Sequence, residues 1–114
     1  MPGCIFCKIA NKEIPAKTVY EDEEVYAFHD LNPQAPAHAL VIPKRHIGNL
    51  LLAEESDSAL LGRLMGAAAH VAHTLGIAES GFRVVANVGV DGGQTVDHLH
   101  LHVLGGRHMT WPPG

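Results

Sequence analysis

The segment His98-Leu99-His100-Leu101-His102-Val103-Leu104 determines more about this chain than any other stretch. Histidine alternates with aliphatic residues, and the side chains of a β-strand point alternately to its two faces. The alternation therefore predicts a strand over residues 97–104, with three imidazoles on one face and aliphatic side chains buried on the other. Successive histidines on such a face have Cα atoms about 6.7 Å apart, so their rings would form one row.

Further elements are predicted on the N-terminal side of this strand. Short β-rich runs indicate strands over residues 19–21, 25–29, 39–42 and 82–88, of which residues 39–42 are apolar enough for a buried central strand. Apolar residues repeat at helical spacing from Leu60 to Leu75, with Ser56 as the N-cap, Asp57 in the first turn and Gly76 beyond the end.

Residues 4–10 form a short apolar run that predicts a brief helix. Together the elements predict an α+β fold: a five-stranded, mostly antiparallel sheet with one long helix and a short N-terminal helix. We expect one domain over residues 1–114.

Composition excludes several classes of protein. The chain is 46% hydrophobic and 18% charged with a net charge of −4, which suits a packed core and gives no electrostatic footprint for nucleic acid or an anionic membrane surface. No run approaches the roughly 18 apolar residues of a membrane helix, and the N-terminal residues lack a signal-peptide core. We therefore expect a cytoplasmic protein that binds neither nucleic acid nor membrane.

The segment Asp91-Gly92-Gly93-Gln94-Thr95 lies directly before the histidine strand. Glycines leave backbone amides open, and concave groups of amides bind anions. The same sequence also suits an ordinary hairpin turn. The neighbouring histidines favour a phosphate site, with the hydroxyl of Thr95 beside it.

The chain resembles the histidine triad family, and within it the Hint branch. The matching segments accompany the histidine strand along the whole chain: Ile5-Phe6, Phe28-His29-Asp30, residues 38–44, Asn87, Gly92-Gly93-Gln94, Leu104-Gly105-Gly106-Arg107 and Trp111-Pro112-Pro113-Gly114. Three positions depart from the pattern, since Thr95 replaces a serine, Asp97 stands where an aromatic residue is common, and Val88 where an acid is frequent.

The resemblance implies a purine nucleoside phosphoramidate hydrolase that acts at the α-phosphorus through a nucleotidyl-histidine intermediate. His100 would attack, His102 and His38 would contact the phosphoryl oxygens, and Thr95 would relay a proton to the departing amine. The implied binding residues are Asp30 for the ribose, Asn87 and Gly93 for the phosphate, and Ile5, Phe6, Ile9, Phe28 and Leu31 for the purine. The resemblance also implies a homodimer, with Trp111 near the partner's active site.

Cys4 and Cys7 form a Cys-x-x-Cys pair, which is typical of a redox site or a zinc site. A thioredoxin-like redox pair follows a strand, and no strand pattern precedes Cys4. Zinc is favoured, and a closed tetrahedral site needs two more ligands, for which His46 and His98 are the candidates. Family members that carry the Cys-x-x-Cys pair, a zinc-binding bacterial-like group, suggest the same set. We expect a structural zinc and no cofactor in the chemistry.

Other functions remain open at this stage. His98, His100 and His102 could instead form a catalytic zinc site that activates water. Within the family, a dinucleoside polyphosphate hydrolase or nucleotidyltransferase is a further alternative, although the Trp111-Pro112-Pro113-Gly114 ending disfavours it. A non-catalytic purine nucleotide-binding module is the alternative from another class. The remaining histidines are expected at the surface: His29, His70, His73 and His108.

Overall fold

The computed structural model describes residues 3–114 as an α+β fold built on an open five-stranded antiparallel sheet with the strand order β1-β2-β3-β5-β4. The helices and strands are α1 (Ile5–Ala10), β1 (Thr18–Glu21), β2 (Val25–His29), β3 (Ala37–Pro43), α2 (Ser58–Thr74), β4 (Phe82–Val85), α3 (Gly89–Gly92) and β5 (Leu101–Gly105). The predicted fold class is confirmed.

Strand β3 is the buried centre of the sheet, as predicted. It pairs with β2 on one side and β5 on the other. Alternate side chains enter two separate cores, because Ala39 and Val41 pack with α2 whereas Leu40 and Ile42 pack with α1. The sheet therefore has a face covered by α2, and an opposite face that α1 covers in part.

The long helix begins later than the sequence indicates. Ser56 is not the N-cap; residues Glu55–Asp57 form a 3₁₀ turn, in which Glu54 and Asp57 cap each other's backbone, and α2 begins at Ser58. The reciprocal capping starts this turn two residues before Ser56, so Ser56 lies inside the turn and not at a helix start. No helix in residues 3–114 has both the length and the apolarity needed to cross a membrane.

The predicted histidine strand is too long. Strand β5 begins at Leu101, and residues 96–98 bend away from the ladder. This bend is held by the segment that follows β3: the amide of Leu99 donates to the carbonyl of Ile47 at 2.6 Å, and Nε2 of His98 lies 2.8 Å from the carbonyl oxygen of Pro43. The neighbouring strand also ends early, at Val85, so residues 97–100 have no strand partner.

Candidate active site and metal centre

A cleft of about 460 Å³ opens on the α1 face of the sheet. It is lined by twelve of the residues that the sequence predicted, namely Ile5, Phe6, Ile9, Phe28, Asp30, Leu31, His38, Asn87, Gly93, Thr95, His100 and His102. The sequence did not predict four further lining residues as site residues, because none belongs to a chemical motif: Asn32, Gln34, Leu40 and Val96. Trp111 lies outside the cleft and is 81% exposed, with the guanidinium of Arg83 6.0 Å from its ring centroid.

The row of imidazoles in the cleft differs from the predicted one. In the β3–β5 ladder, His102 lies opposite Leu40, so that His38 reaches it diagonally, with 2.9 Å between His38 Nε2 and His102 Nδ1. The rings of His100 and His102 follow, with centroids 5.0 Å apart. His98 does not line the cleft, because the bend at residues 96–98 turns it away. His98 still lies on the α1 side of the sheet, with its ring centroid 6.0 Å from that of Phe6, whereas Leu99 and Leu101 pack in the core with α2. The histidines and the aliphatic side chains are therefore separated as expected, but His98 is not in one row with His100 and His102.

The hydrogen bond of His100 determines which of its nitrogens carries a proton. Nδ1 lies 2.7 Å from the carbonyl oxygen of His98, and a carbonyl only accepts, so Nδ1 is the protonated nitrogen. Neutral His100 then has its lone pair on Nε2. Among the described residues, Nε2 has no hydrogen-bond partner and no buried side-chain nitrogen is unpartnered, so Nε2 is open to the cleft.

His38 and His102 are ordered by a chain of directed hydrogen bonds. The amide of Gln34 donates to His38 Nδ1 at 3.0 Å, which leaves the proton of neutral His38 on Nε2. That nitrogen faces two acceptors, His102 Nδ1 at 2.9 Å and the Asp30 carboxylate at 3.4 Å. Since His102 accepts at Nδ1, neutral His102 carries its proton on Nε2 and can donate from there.

Both of these histidines are held in the neutral form. Burial, together with the neighbouring imidazoles of His100 and His38, lowers the pKa of His102 to about 4. Burial also lowers the pKa of His38, against an opposing effect of the Asp30 carboxylate. A neutral imidazole has one donor and one acceptor nitrogen, so the hydrogen-bond order described above persists at neutral pH.

Helix α1 forms the apolar wall of the cleft. Phe6 is buried and meets Phe28 edge-on, with centroids 5.6 Å apart, and meets the His100 ring edge-on at 5.1 Å. Edge-to-face packing of this kind fixes ring orientation. The wall can therefore receive a flat aromatic group and at the same time restrain His100.

The glycine segment offers fewer open amides than its sequence indicates. Residues Gly89–Gly92 form the short helix α3, which ends at Gly93 with φ +78°. The amide of Gly93 donates to the carbonyl of Val90, and that of Gln94 to the carbonyl of Gly89, both at 3.0 Å. Two of the predicted anion-binding amides are thus occupied, because a helical turn satisfies its own backbone.

The side chain of Gln94 holds this segment in place. Its Nε2 donates to the carbonyls of Gly48 and Val96, both at 2.9 Å, while its Oε1 accepts from the Gly89 amide at 3.0 Å. Thr95, the next residue, is thereby held at the edge of the cleft.

A second cluster lies behind the cleft, where Cys4, Cys7, His46 and His98 bring one ligand atom each within 4.8 Å of one another. Cys4 is the N-cap of α1 and accepts from the amide of Cys7 at 3.4 Å, so the helix start places both thiols at one end. His46 arrives from the segment after β3, and His98 from the bend before β5. The predicted metal-ligand set is thus brought together by three separate parts of the chain.

The donor set fits a tetrahedral zinc ion. At Zn–S of about 2.3 Å and Zn–N of about 2.0 Å, two nitrogens are about 3.3 Å apart and a sulfur and a nitrogen about 3.5 Å apart. The corresponding distances to His98 Nδ1 are 3.2 Å from His46 Nδ1, 3.3 Å from Cys4 Sγ and 3.5 Å from Cys7 Sγ. His98 also donates from Nε2 to the Pro43 carbonyl at 2.8 Å, which leaves Nδ1 with the lone pair that a metal requires.

The geometry is unfavourable for a metal at the triad itself. Among the described residues, no candidate metal-binding group contains His100. A second group, Asp30, His38 and His102, also has close ligand atoms. However, Nε2 of His38 carries the proton in that group, because Nδ1 accepts from Gln34, and a protonated nitrogen does not bind a metal.

Comparison with known proteins gives the class of this protein. Residues 11–109 match the HIT domain family, and the chain belongs to that family.

Individual relatives are similar over nearly the whole chain. An uncharacterised HIT-like protein of Synechocystis is 56% identical over 110 residues, which cover 96% of each protein. A 14 kDa zinc-binding protein of Zea mays is 54% identical over 112 residues, which cover 96% of this chain and 87% of that one. The crystal structure of a HIT family hydrolase from Legionella pneumophila superposes with a TM-score of 0.95 at 52% identity, over 98% of this chain and 100% of that one.

Proposed function

We propose that this protein is a hydrolase of purine nucleoside phosphoramidates that acts through a covalent nucleotidyl-His100 intermediate. One observation carries the proposal: the hydrogen bond to the His98 carbonyl leaves the lone pair of His100 on Nε2, the nitrogen that is open to the cleft. Family membership and the similarity to a protein named a HIT family hydrolase support a hydrolytic reaction.

In the first step, His100 Nε2 attacks the α-phosphorus and a P–N bond forms to the histidine. The P–N bond to the amine breaks, and the amine leaves with a proton that the Thr95 hydroxyl passes on from water. His102 donates from Nε2 to a phosphoryl oxygen, where negative charge increases in the transition state. In the second step, water attacks the phosphorus and releases a proton to solvent, the bond to His100 breaks, and the nucleoside monophosphate leaves.

The cleft also supports binding of the nucleoside. Asp30 keeps acceptor capacity for ribose hydroxyls, although one oxygen already accepts from the amide of Asn32 at 2.8 Å. The purine would lie against the α1 wall, between Ile5, Phe6, Ile9, Phe28 and Leu31. Asn87 would contact the phosphate, whereas Gly93, predicted for the same role, lines the cleft with an amide that already donates to Val90.

We propose that Cys4, Cys7, His46 and His98 hold a structural zinc ion. The zinc would supply a cross-link between α1, the segment after β3 and the bend before β5, as closed tetrahedral sites do. The name of the Zea mays relative, a zinc-binding protein, supports this choice of metal. The catalytic steps use cleft residues that lie outside the cluster.

We further propose a homodimer in which Trp111 approaches the partner's cleft. Its exposure of 81% leaves the indole available for a partner surface. Sedimentation at micromolar concentration tests this proposal, which a monomer would contradict.

The central experiment is to trap the covalent intermediate. Protein is mixed with adenosine 5′-phosphoramidate, quenched on the millisecond scale in alkali, where P–N bonds to histidine survive, and analysed by intact mass. We expect one adenylyl group per chain on His100, ammonia release, and loss of both in His100→Ala. His73→Ala, on an exposed part of α2, is the matched control and should retain both.

Other outcomes would identify the alternatives. An adduct of equal yield in His100→Ala would contradict the assignment of the nucleophile. Binding of AMP without ammonia release or adduct would indicate a non-catalytic nucleotide-binding module. Faster turnover of a dinucleoside polyphosphate than of the phosphoramidate would indicate that branch of the family instead.

A further inference from the structure

Arg107 lies just beyond β5 and outside the cleft, yet two contacts connect it to the catalytic histidines. Its guanidinium donates to the carbonyl of Gln34 at 3.1 Å and to the carbonyl of His108 at 3.2 Å. The amide of the same Gln34 donates to Nδ1 of His38 at 3.0 Å. The backbone of residue 34 is therefore held on one side by Arg107 and on the other by a histidine of the cleft.

Gly106 allows this close approach. It has φ +89°, and a Cβ built there would lie 2.8 Å from Cβ of Pro36. An L-residue at position 106 would be strained in its backbone and would also collide with the 32–36 loop. The missing side chain therefore lets the turn after β5 lie against that loop, where Arg107 reaches Gln34.

We propose that Arg107 is a positioning residue that sets the tautomer of His38. By holding the 32–36 loop, Arg107 keeps the Gln34 amide on His38 Nδ1, so that the proton of His38 remains on Nε2. In the other tautomer, Nδ1–H would face the Gln34 amide, and bare Nε2 would face two acceptors, His102 Nδ1 and the Asp30 carboxylate. The contact from the Gln34 amide favours the Nε2-protonated tautomer of His38 only while the 32–36 loop keeps its position.

The tautomer of His38 determines that of His102. With a proton on His38 Nε2, His102 accepts at Nδ1 and donates from Nε2 into the cleft. A displaced loop allows His38 to lose its Nε2 proton, after which His102 would present a bare nitrogen to a phosphoryl oxygen. This consequence for catalysis rests on the function proposed above, whereas the effect of Arg107 on the tautomers does not.

The test reads the tautomers directly in the full-length protein. Nitrogen-15 correlation spectra of histidine-labelled protein distinguish protonated from bare ring nitrogens, and the signals are assigned from His38→Gln and His102→Gln. The variants are Arg107→Ala, Arg107→Lys and Gly106→Ala. The controls are Arg63→Ala, an exposed arginine of α2, and Gly66→Ala, where a Cβ would meet nothing within 4 Å.

We expect Nε2-protonated His38 and His102 in the wild type and both controls. Arg107→Ala and Gly106→Ala should each add a population of Nδ1-protonated His38. For adenosine 5′-phosphoramidate, kcat should fall about tenfold while KM changes by less than about twofold, since His102 acts mainly on the transition state. Arg107→Lys should recover part of both effects, because an ammonium group can restore a single hydrogen bond to Gln34.

Two results would overturn the inference: an Nδ1-protonated His38 in the wild type, or an unchanged tautomer in folded Arg107→Ala and Gly106→Ala. A changed tautomer with unchanged kcat would overturn its catalytic consequence. A third result would separate the two proposals: the wild type shows the expected tautomers but forms no adduct on His100. That result would refute the proposed function, and Arg107 would still be the residue that positions His38.

Discussion

His98 and His100 are neighbours in the triad and both meet the ring of Phe6, but their free ring nitrogens serve different regions of the molecule. His98 is fully buried, donates from Nε2 to the Pro43 carbonyl and turns Nδ1 toward two thiols and His46. His100 donates from Nδ1 to the His98 carbonyl and keeps Nε2 for the cleft. In each case one backbone carbonyl selects the protonated nitrogen, and the other nitrogen keeps the lone pair.

Two histidines of one strand motif thus differ in which ring nitrogen keeps the lone pair, because each donates from a different nitrogen to a backbone carbonyl. His98 also connects the two regions, since its ring belongs to the Cys/His cluster while its carbonyl accepts from His100. The Cys/His cluster and the cleft are thus separate groups of side chains joined through the backbone of one residue.

Removal of His100 should have the largest effect. His100→Ala should lower turnover of a phosphoramidate at least about a thousandfold, because no other cleft residue offers an equivalent nucleophile. Its zinc content by elemental analysis should match the wild type. His98→Ala should instead lose the zinc; a His100→Ala protein that also lost it would contradict the division between the two regions.

Removal of the metal should mainly affect stability. Cys7→Ser, or a chelator added to the wild type, should lower the free energy of unfolding by about 2 to 4 kcal/mol, measured by urea titration, because α1 loses its cross-link. The chelator should have no further effect on Cys7→Ser. A wild type with no bound zinc and unchanged stability in chelator would contradict a structural metal at this cluster.

Acid should destabilise the cleft through His102. Its pKa is lowered to about 4 in the folded protein, from an ordinary value of 6.5, so protons bind the unfolded chain more readily. The stabilising contribution of neutral His102 is complete above pH 6.5 and is lost as the pH falls toward 4.

This contribution should be about 2 kcal/mol, with allowance for partial exposure of the ring. His102→Gln should lose correspondingly less stability than the wild type between pH 6.5 and 4 in urea titrations. The exposed-site control His73→Gln should behave as the wild type. Equal acid sensitivity of His102→Gln and wild type would contradict the depressed pKa.

The smallest expected effect concerns the leaving group. Thr95→Val removes the hydroxyl but keeps the branched shape, and should slow release of a poorly acidic alkylamine about tenfold. Release of a phenolate from a nucleotide ester, which needs no proton, should change by less than about twofold. Equal slowing of both leaving groups would assign Thr95 to phosphate binding rather than proton relay.

Much of the fold could be predicted from local patterns. The strand at residues 25–29 has the predicted bounds, the apolar run at 39–42 lies inside the buried β3, and the helical spacing from Leu60 to Leu75 identifies α2. The exposed histidines, His29, His70, His73 and His108, also lie where their surroundings indicate. Such patterns predict strands and helices correctly because alternation and helical spacing depend only on residues that are close together in the sequence.

The errors fall where distant segments compete with a local pattern. The bonds from His98 to Pro43 and from Leu99 to Ile47 pull the chain out of strand geometry, and no alternation of residues reveals them. The glycine segment likewise closes on itself as α3. Gln34 escaped prediction because it acts through its backbone amide, which every residue but proline possesses.

The sequence alone thus determined the strand and helix order, the separation of an apolar from a histidine-bearing face, and the presence of donor atoms suited to zinc. Only the tertiary structure decided that the strand gives way to a bend at residues 96–98, and which nitrogen of each ring carries the proton. The physical reason is that periodicity records which face a residue occupies. A tautomer, by contrast, depends on a single donor or acceptor that another part of the chain brings within 3 Å or so.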